Sequence, residues 1–223
     1  MEVPMIENTA LPEKVLDVQW FTDPLCSWSF AAEKAIGEFR SQMEKSIIFH
    51  HRMLPLYQSL ETFLSAHQMK SPSEFATKVQ KASRATGVEM TTAPWERGIV
   101  PKDGHFLSKW TLAAISIDPL KGDKYLHQLR RAFFVEGRDL TKTEFLKDLG
   151  ERVGLDPVML EKLSSSENIL EQLHADIRKG SGEDVSVRPT LVMVNSGGDR
   201  VFIGGLRDAN LFVHAAEVLI SEA

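Results

Sequence analysis

The sequence predicts an α/β fold built from two halves, β-α-β and β-β-α, separated by a helical insertion. Three observations carry that reading. A run rich in Val, Leu, Trp and Phe ends at Pro24 and gives way at once to helical spacing; β-rich runs then vanish for the whole middle of the chain; and they return late as two short runs around the turn Ser196-Gly-Gly-Asp199.

Taken in order, Lys14 to Asp23 reads as a buried strand bounded by a proline turn. From Trp28, the residues Ala32, Ala35, Ile36, Phe39 and Met43 recur at three- and four-residue steps, the signature of one apolar helix face, and the helix starts near Cys26. Ser46 to Met53 reads as a second strand. The middle offers helices at Leu60–Met69, Ser73–Thr86, Gly104–Ile117, Lys124–Val135, Thr143–Val153 and Glu167–Lys179, with breaks at Pro72, Gly87, Pro94, Pro101, Pro119, Gly137 and Gly154. Thr141-Lys-Thr-Glu144 has the side chains of a capping box, and Asp156-Pro157 puts a proline at a first helical position. Pro189–Asn195 and Arg200–Gly204 form a hairpin, and a last helix runs from about Asp208 to Leu219. This order is a thioredoxin-like fold in a two-layer arrangement, with residues 13–56 as its first half, 57–180 as an inserted all-helical domain and 181–223 as its second half.

Composition excludes several function classes. With 223 residues and 43% hydrophobic content the chain can bury a large core. Its single cysteine leaves no internal disulfide, and no apolar run approaches the roughly 20 residues of a membrane span. A net charge of −5 without a basic stripe argues against nucleic acid or an anionic membrane as partner. The opening stretch MEVPMIENTALPEK, acidic and broken by prolines, resembles neither a secretory signal nor a transit peptide, so the cytoplasm is the expected location.

The chemistry centres on Phe21-Thr-Asp-Pro-Leu-Cys-Ser-Trp-Ser-Phe30. The fold order delivers Cys26 to the first helix's N-terminal end, where unpaired N–H groups and the helix dipole favour a thiolate. In this fold the proline opening the third strand, Pro189, is expected in cis and facing that helix start, which puts Arg188 beside the sulfur. Its guanidinium then supports the thiolate and pairs with a carboxylate on an incoming peptide or glutathione. Ser29 stands where a C-x-x-C motif carries its resolving cysteine. A hydroxyl is too weak an acid to attack a mixed disulfide, so the dithiol cycle is closed and only one-sulfur chemistry remains, with Ser29 expected to donate a hydrogen bond to the thiolate.

With those residues in place, the chain resembles the DsbA family, which includes FrnE-like oxidoreductases and kappa-class glutathione transferases. The segments DPLCSWS, AFFVEGRDLTKTEFLKDLGERVGLD and DVSVRPTLVMVN are most similar to the branch of YjbH-type adaptors, which present a transcription regulator to the ClpXP protease. The resemblance implies a nucleophile at Cys26, a cis-proline at Pro189, and protein or glutathione thiols and disulfides as partners. Glutathione is then a co-substrate, with no resident cofactor. Two features depart from the pattern: Ser29 replaces the second cysteine of redox-active members, and the stretch before the first strand holds neither the cysteine nor the histidine of the adaptors' extension. Two functions of different class follow, a monothiol exchange enzyme and a non-catalytic adaptor.

Plainer readings stand beside these. A lone cysteine is commonly a small buried hydrophobe. Trp28 suits a substrate rim, but its place on the apolar helix face suits core packing equally. His50 and His51, adjacent on a strand, point to opposite faces, and His67, His105, His127, His174 and His214 are not ligand-spaced, so no metal is expected. Asn195–Arg200 is glycine-rich but lies between strands, not before a helix, and reads as a turn. Lys121, Lys124, Arg130 and Arg131 read as a solvated helix face, or as a wall receiving an acidic partner; Phe133, Phe134 and Trp110 read as core of the insertion.

Overall fold

The computed structural model describes residues 15–223. The acidic opening stretch and Lys14 lie outside the described residues. Four strands, β1 (Leu16–Thr22), β2 (Ile47–Met53), β3 (Thr190–Val194) and β4 (Arg200–Gly204), form one sheet in the order β2-β1-β3-β4. β1 and β2 are parallel, joined through helix α1 (Ser27–Gln42), while β1–β3 and β3–β4 are antiparallel. Between β2 and β3 stand α2 (Leu60–Ala66), a 3-10 turn (Pro72–Phe75), α3 (Ala76–Thr86), α4 (Ala93–Glu96), α5 (His105–Ile117), α6 (Pro119–Phe134), α7 (Thr143–Arg152), α8 (Pro157–Ser164) and α9 (Glu167–Gly182); α10 (Ala209–Ser221) follows β4. This is the thioredoxin-like fold with a helical insertion that the sequence predicts.

The layering differs from the expectation. Trp20 faces α1 and α6, whereas its neighbour Phe21 faces the opposite way and lies against Gly180 of α9, as strand alternation requires. Helices α1 and α10 cover one face, meeting through Phe39 and Phe212 at 5.9 Å, and α9 crosses the other, so there are three layers and not two. β1 is therefore buried almost continuously, Gln19 included.

Local signals explain most boundaries. Asp118 caps α6 by accepting from Leu120 and Lys121 N–H at 3.0 and 3.1 Å, so Pro119 opens that helix and does not break the chain between helices. Pro94 likewise sits inside the short α4. The expected capping box at Thr141 is not formed: its hydroxyl turns back to Asp139 Oδ1 at 2.6 Å, and Lys142 is the N-cap of α7. Gly122 lets α6 close on α5, where a Cβ would stand 2.5 Å from the Ile115 Cα. Phe133, Phe134 and Trp110 are core, and Phe134 stacks on Phe30 of α1 at 5.4 Å.

Candidate functional site

Cys26 is the N-cap of α1, with extended dihedrals of φ −85° and ψ 111°. Its N–H donates to the Asp23 carbonyl at 3.2 Å, and its own carbonyl accepts the first helical bond from Phe30 N–H at 3.0 Å. The sulfur caps no amide of α1, and the helix carries no acidic residue in its first turn. Cys26 is only 6% exposed.

The sulfur meets the loop before β3. The Arg188–Pro189 bond is cis, and Cys26 Sγ donates to the Arg188 carbonyl at 3.8 Å. Thr190 Oγ1 donating to Val187 O at 2.9 Å and Gly205 N–H donating to Pro189 O at 2.7 Å hold that loop. The contact is thus made by the Arg188 main chain, not by the guanidinium the sequence suggested. The guanidinium's charge acts instead on Asp23.

Asp23 ties the cysteine turn to the chain after β2: its carboxylate accepts from Leu25 N–H at 2.6 Å and from Leu56 N–H at 3.1 Å. Burial pushes its carboxyl up to about 6, against the opposing pull of the Arg188 charge, those two N–H groups and Arg130. The Asp-Pro pair before the cysteine was the available signal for this role.

Ser29 and Trp28 part company. Ser29 is fully buried and its hydroxyl has no hydrogen-bond partner, so the expected bond to Cys26 is not made; the next turn of α1 carries it inward. Trp28 is partly exposed and stands outside the buried core.

Arg130 overturns its reading as a surface charge. It is fully buried and reaches from α6 to Glu33 Oε1 of α1 at 2.8 Å, to the Asp23 carbonyl at 2.9 Å and to Thr22 Oγ1, with the Trp20 ring at 5.2 Å. Glu33 also accepts from His127 Nδ1 at 2.7 Å. Burial alone would raise the Glu33 carboxyl, but the His127 and Arg130 hydrogen bonds hold it below the usual range. Helix periodicity marks position 130 as inward-facing, yet nothing local names partners 97 residues away.

A second fastening lies farther along the same face. The Asp123 carboxylate of α6 lies 2.6 Å from Arg40 Nη2 and 3.0 Å from His51 Nε2, and burial pushes His51 down to about 4. His50 points to the opposite face, where Asp17 lies 3.3 Å away, so the two histidines share no ligand. Among the described residues no three His, Cys, Asp or Glu side chains gather as a metal would need, and no helix is long and apolar enough to cross a membrane.

Known proteins share this fold. A structure from Nitrosomonas europaea, assigned as a protein disulfide isomerase, superposes with a TM-score of 0.74 at 19% identity, covering 93% of this chain and 97% of that one. The cytosolic disulfide reductase DsbM of Pseudomonas aeruginosa, also solved with GSH, superposes at 0.66 and 17% identity over 92% of this chain and 96% of its own. In sequence, the ClpXP adapter protein SpxH of Bacillus subtilis is 23% identical over 187 residues, or 83% of this chain; the chain spans 60% of that relative's length. This chain's fold is DsbA-like, and the thioredoxin family profile matches residues 20–214, from β1 into α10, so the chain belongs to the thioredoxin family.

Proposed function

We propose that this protein exchanges thiols and disulfides through one sulfur, Cys26, with glutathione as the co-substrate thiol and no resident cofactor. The supporting observation is the position of Cys26 at the N-terminus of a 16-residue helix with no acidic first-turn residue, against the Arg188–Pro189 loop. DsbM, similar in fold and solved with GSH, supports glutathione as the small thiol. The Cys26 thiolate attacks one sulfur of a disulfide, forming a mixed disulfide and expelling the other sulfur as a thiolate, which takes a proton from water. An external thiolate then attacks the mixed disulfide: at Cys26 it expels the substrate's thiolate and leaves Cys26 in a new mixed disulfide, and at the substrate's sulfur it returns the Cys26 thiolate and completes the exchange. Two exchanges leave the chain unchanged, so no second cysteine is required. Arg188 and Trp28 border the incoming group, the guanidinium pairing with a carboxylate.

Native protein mixed with oxidised glutathione is expected to yield a Cys26–glutathione adduct by mass spectrometry, reversed by reduced glutathione. Arg188→Met should slow reaction with an anionic aromatic disulfide about tenfold and with a neutral one less than threefold. An adduct that forms only after unfolding, or equal effects on both reagents, counts against the reading.

A second reading rests on the relatives named ClpXP adapter protein and on the shielded sulfur: a cytoplasmic adaptor that holds a transcription regulator for the ClpXP protease without chemistry.

A further inference from the structure

We propose that Arg130 is a positioning residue of the Cys26 site, through which the inserted helix α6 sets the orientation of the sulfur. The proposal rests on the exchange reading above. Three elements define where Cys26 stands: the end of β1, the turn after it and the first turns of α1. The Arg130 guanidinium bonds to all three, at Thr22, the Asp23 carbonyl and Glu33, while its own backbone belongs to none of them.

The shared carbonyl is the point of transmission. Asp23 O accepts from Arg130 Nη2 at 2.9 Å and from the Cys26 amide at 3.2 Å, so a shift of the guanidinium moves the acceptor that fixes the cysteine's own N–H. Glu33 lies seven residues beyond Cys26, two turns along the same side of α1 and about 10 Å away. It receives Arg130 and His127 from one side of α6, three residues apart, and this fork locks the rotation of α1 against the insertion.

Energetics favour a positional role over a stabilising one. A buried ion pair gains little over well-packed apolar residues of similar volume, because desolvation offsets the Coulomb attraction. The guanidinium is fully buried and stands 5.2 Å from the Trp20 ring. What an arginine supplies and an apolar side chain cannot is a planar fork of donors with fixed angles, and lysine lacks that fork while keeping the charge.

The test compares wild type, Arg130→Lys, Arg130→Met and Glu33→Gln in the full chain. Each is measured for reaction of Cys26 with neutral 4,4′-dithiodipyridine, amide exchange at Leu25 and Cys26 by NMR, and thermal midpoint. Leu160→Ala, a core change in α8, is the control for lost stability alone. Arg130→Lys is expected to slow the reaction about tenfold and to speed Cys26 amide exchange about tenfold, and Glu33→Gln to produce about half those changes on a logarithmic scale. The control should leave the rate within twofold at a similar or larger loss of midpoint. If Arg130→Met fails to fold, the lysine and glutamine variants decide. Rates and amide exchange within twofold of wild type in both, or a control as slow as they are, overturns the proposal. A wild-type sulfur that reacts only on unfolding removes the exchange reading instead, and the amide exchange still judges the positioning role.

Discussion

Ser29 occupies the resolving position of a dithiol site, yet its hydroxyl faces the interior without a partner. A buried, unpartnered hydroxyl costs about 1–3 kcal/mol relative to a satisfied one. Ser29→Ala should therefore raise stability by about 1 kcal/mol, seen as a thermal midpoint a few degrees higher, with Cys26 reactivity unchanged. A loss of 1 kcal/mol or more would mean the hydroxyl is hydrogen-bonded after all. The same burial means that the one-turn step from Cys26 to Ser29 separates the sulfur from the neighbouring hydroxyl, so Ser29 is neither a donor to the nucleophile nor an accessible group in its own right. The places of Cys26 at a helix start and of Pro189 before a strand were legible because strand-end, strand-start and helix-start positions are local features. The partner of the sulfur was half legible: Arg188 was named, but which of its groups faces Cys26 depends on backbone direction in three dimensions.

Among the elements, α6 does the most to define the site's surroundings. Its Asp123 lies against Arg40 and His51, and its Arg130 donates to the cysteine turn, so one helix face grips both α1 and the sheet. His51 gives this fastening a pH dependence. Burial lowers its folded value from 6.5 to about 4, so folding keeps it neutral; the stability it contributes is complete above pH 6.5 and is lost as pH falls toward 4. The full swing is about 3 kcal/mol. Asp23 acts in the opposite sense: its carboxyl is raised from 3.8 to about 6, so stability falls as pH rises through that interval. Between pH 4 and 6 the two oppose each other. His51→Gln should flatten the acid-side fall of the thermal midpoint between pH 6.5 and 4.5, whereas an unchanged slope would show that His51 is not the group responsible. Element boundaries repeat the lesson on a smaller scale. Asp156-Pro157 and Asp118-Pro119 carry the same signal, an acidic N-cap followed by a first-turn proline, and both open helices.

For the whole molecule, the DsbA-like architecture leaves an enzyme and a binding protein both compatible with one sulfur. Cys26→Ser separates them in the cell. Under the exchange reading, the substitution abolishes thiol-dependent capture of partners; under the adaptor reading, turnover of a bound regulator by ClpXP continues within twofold of wild type. Retained turnover together with full loss of glutathione adduct formation would assign the sulfur no part in binding. The helical insertion supplies most of the chain outside the thioredoxin elements and, through Arg130, reaches the cysteine turn.

The sequence by itself determined the order β-α-β, helices, β-β-α, the placement of Cys26 at a helix start and the absence of a second cysteine. These follow from periodicity, turn chemistry and composition, which act over a few residues. The tertiary structure alone decided that α9 covers the second sheet face, that Arg130 is buried beneath the site, that Arg188 offers its carbonyl to the sulfur and that the Asp23 carboxyl is pushed up to about 6. Each of these joins groups far apart in the chain, and burial, which sets their charges and their partners, exists only once the layers have closed.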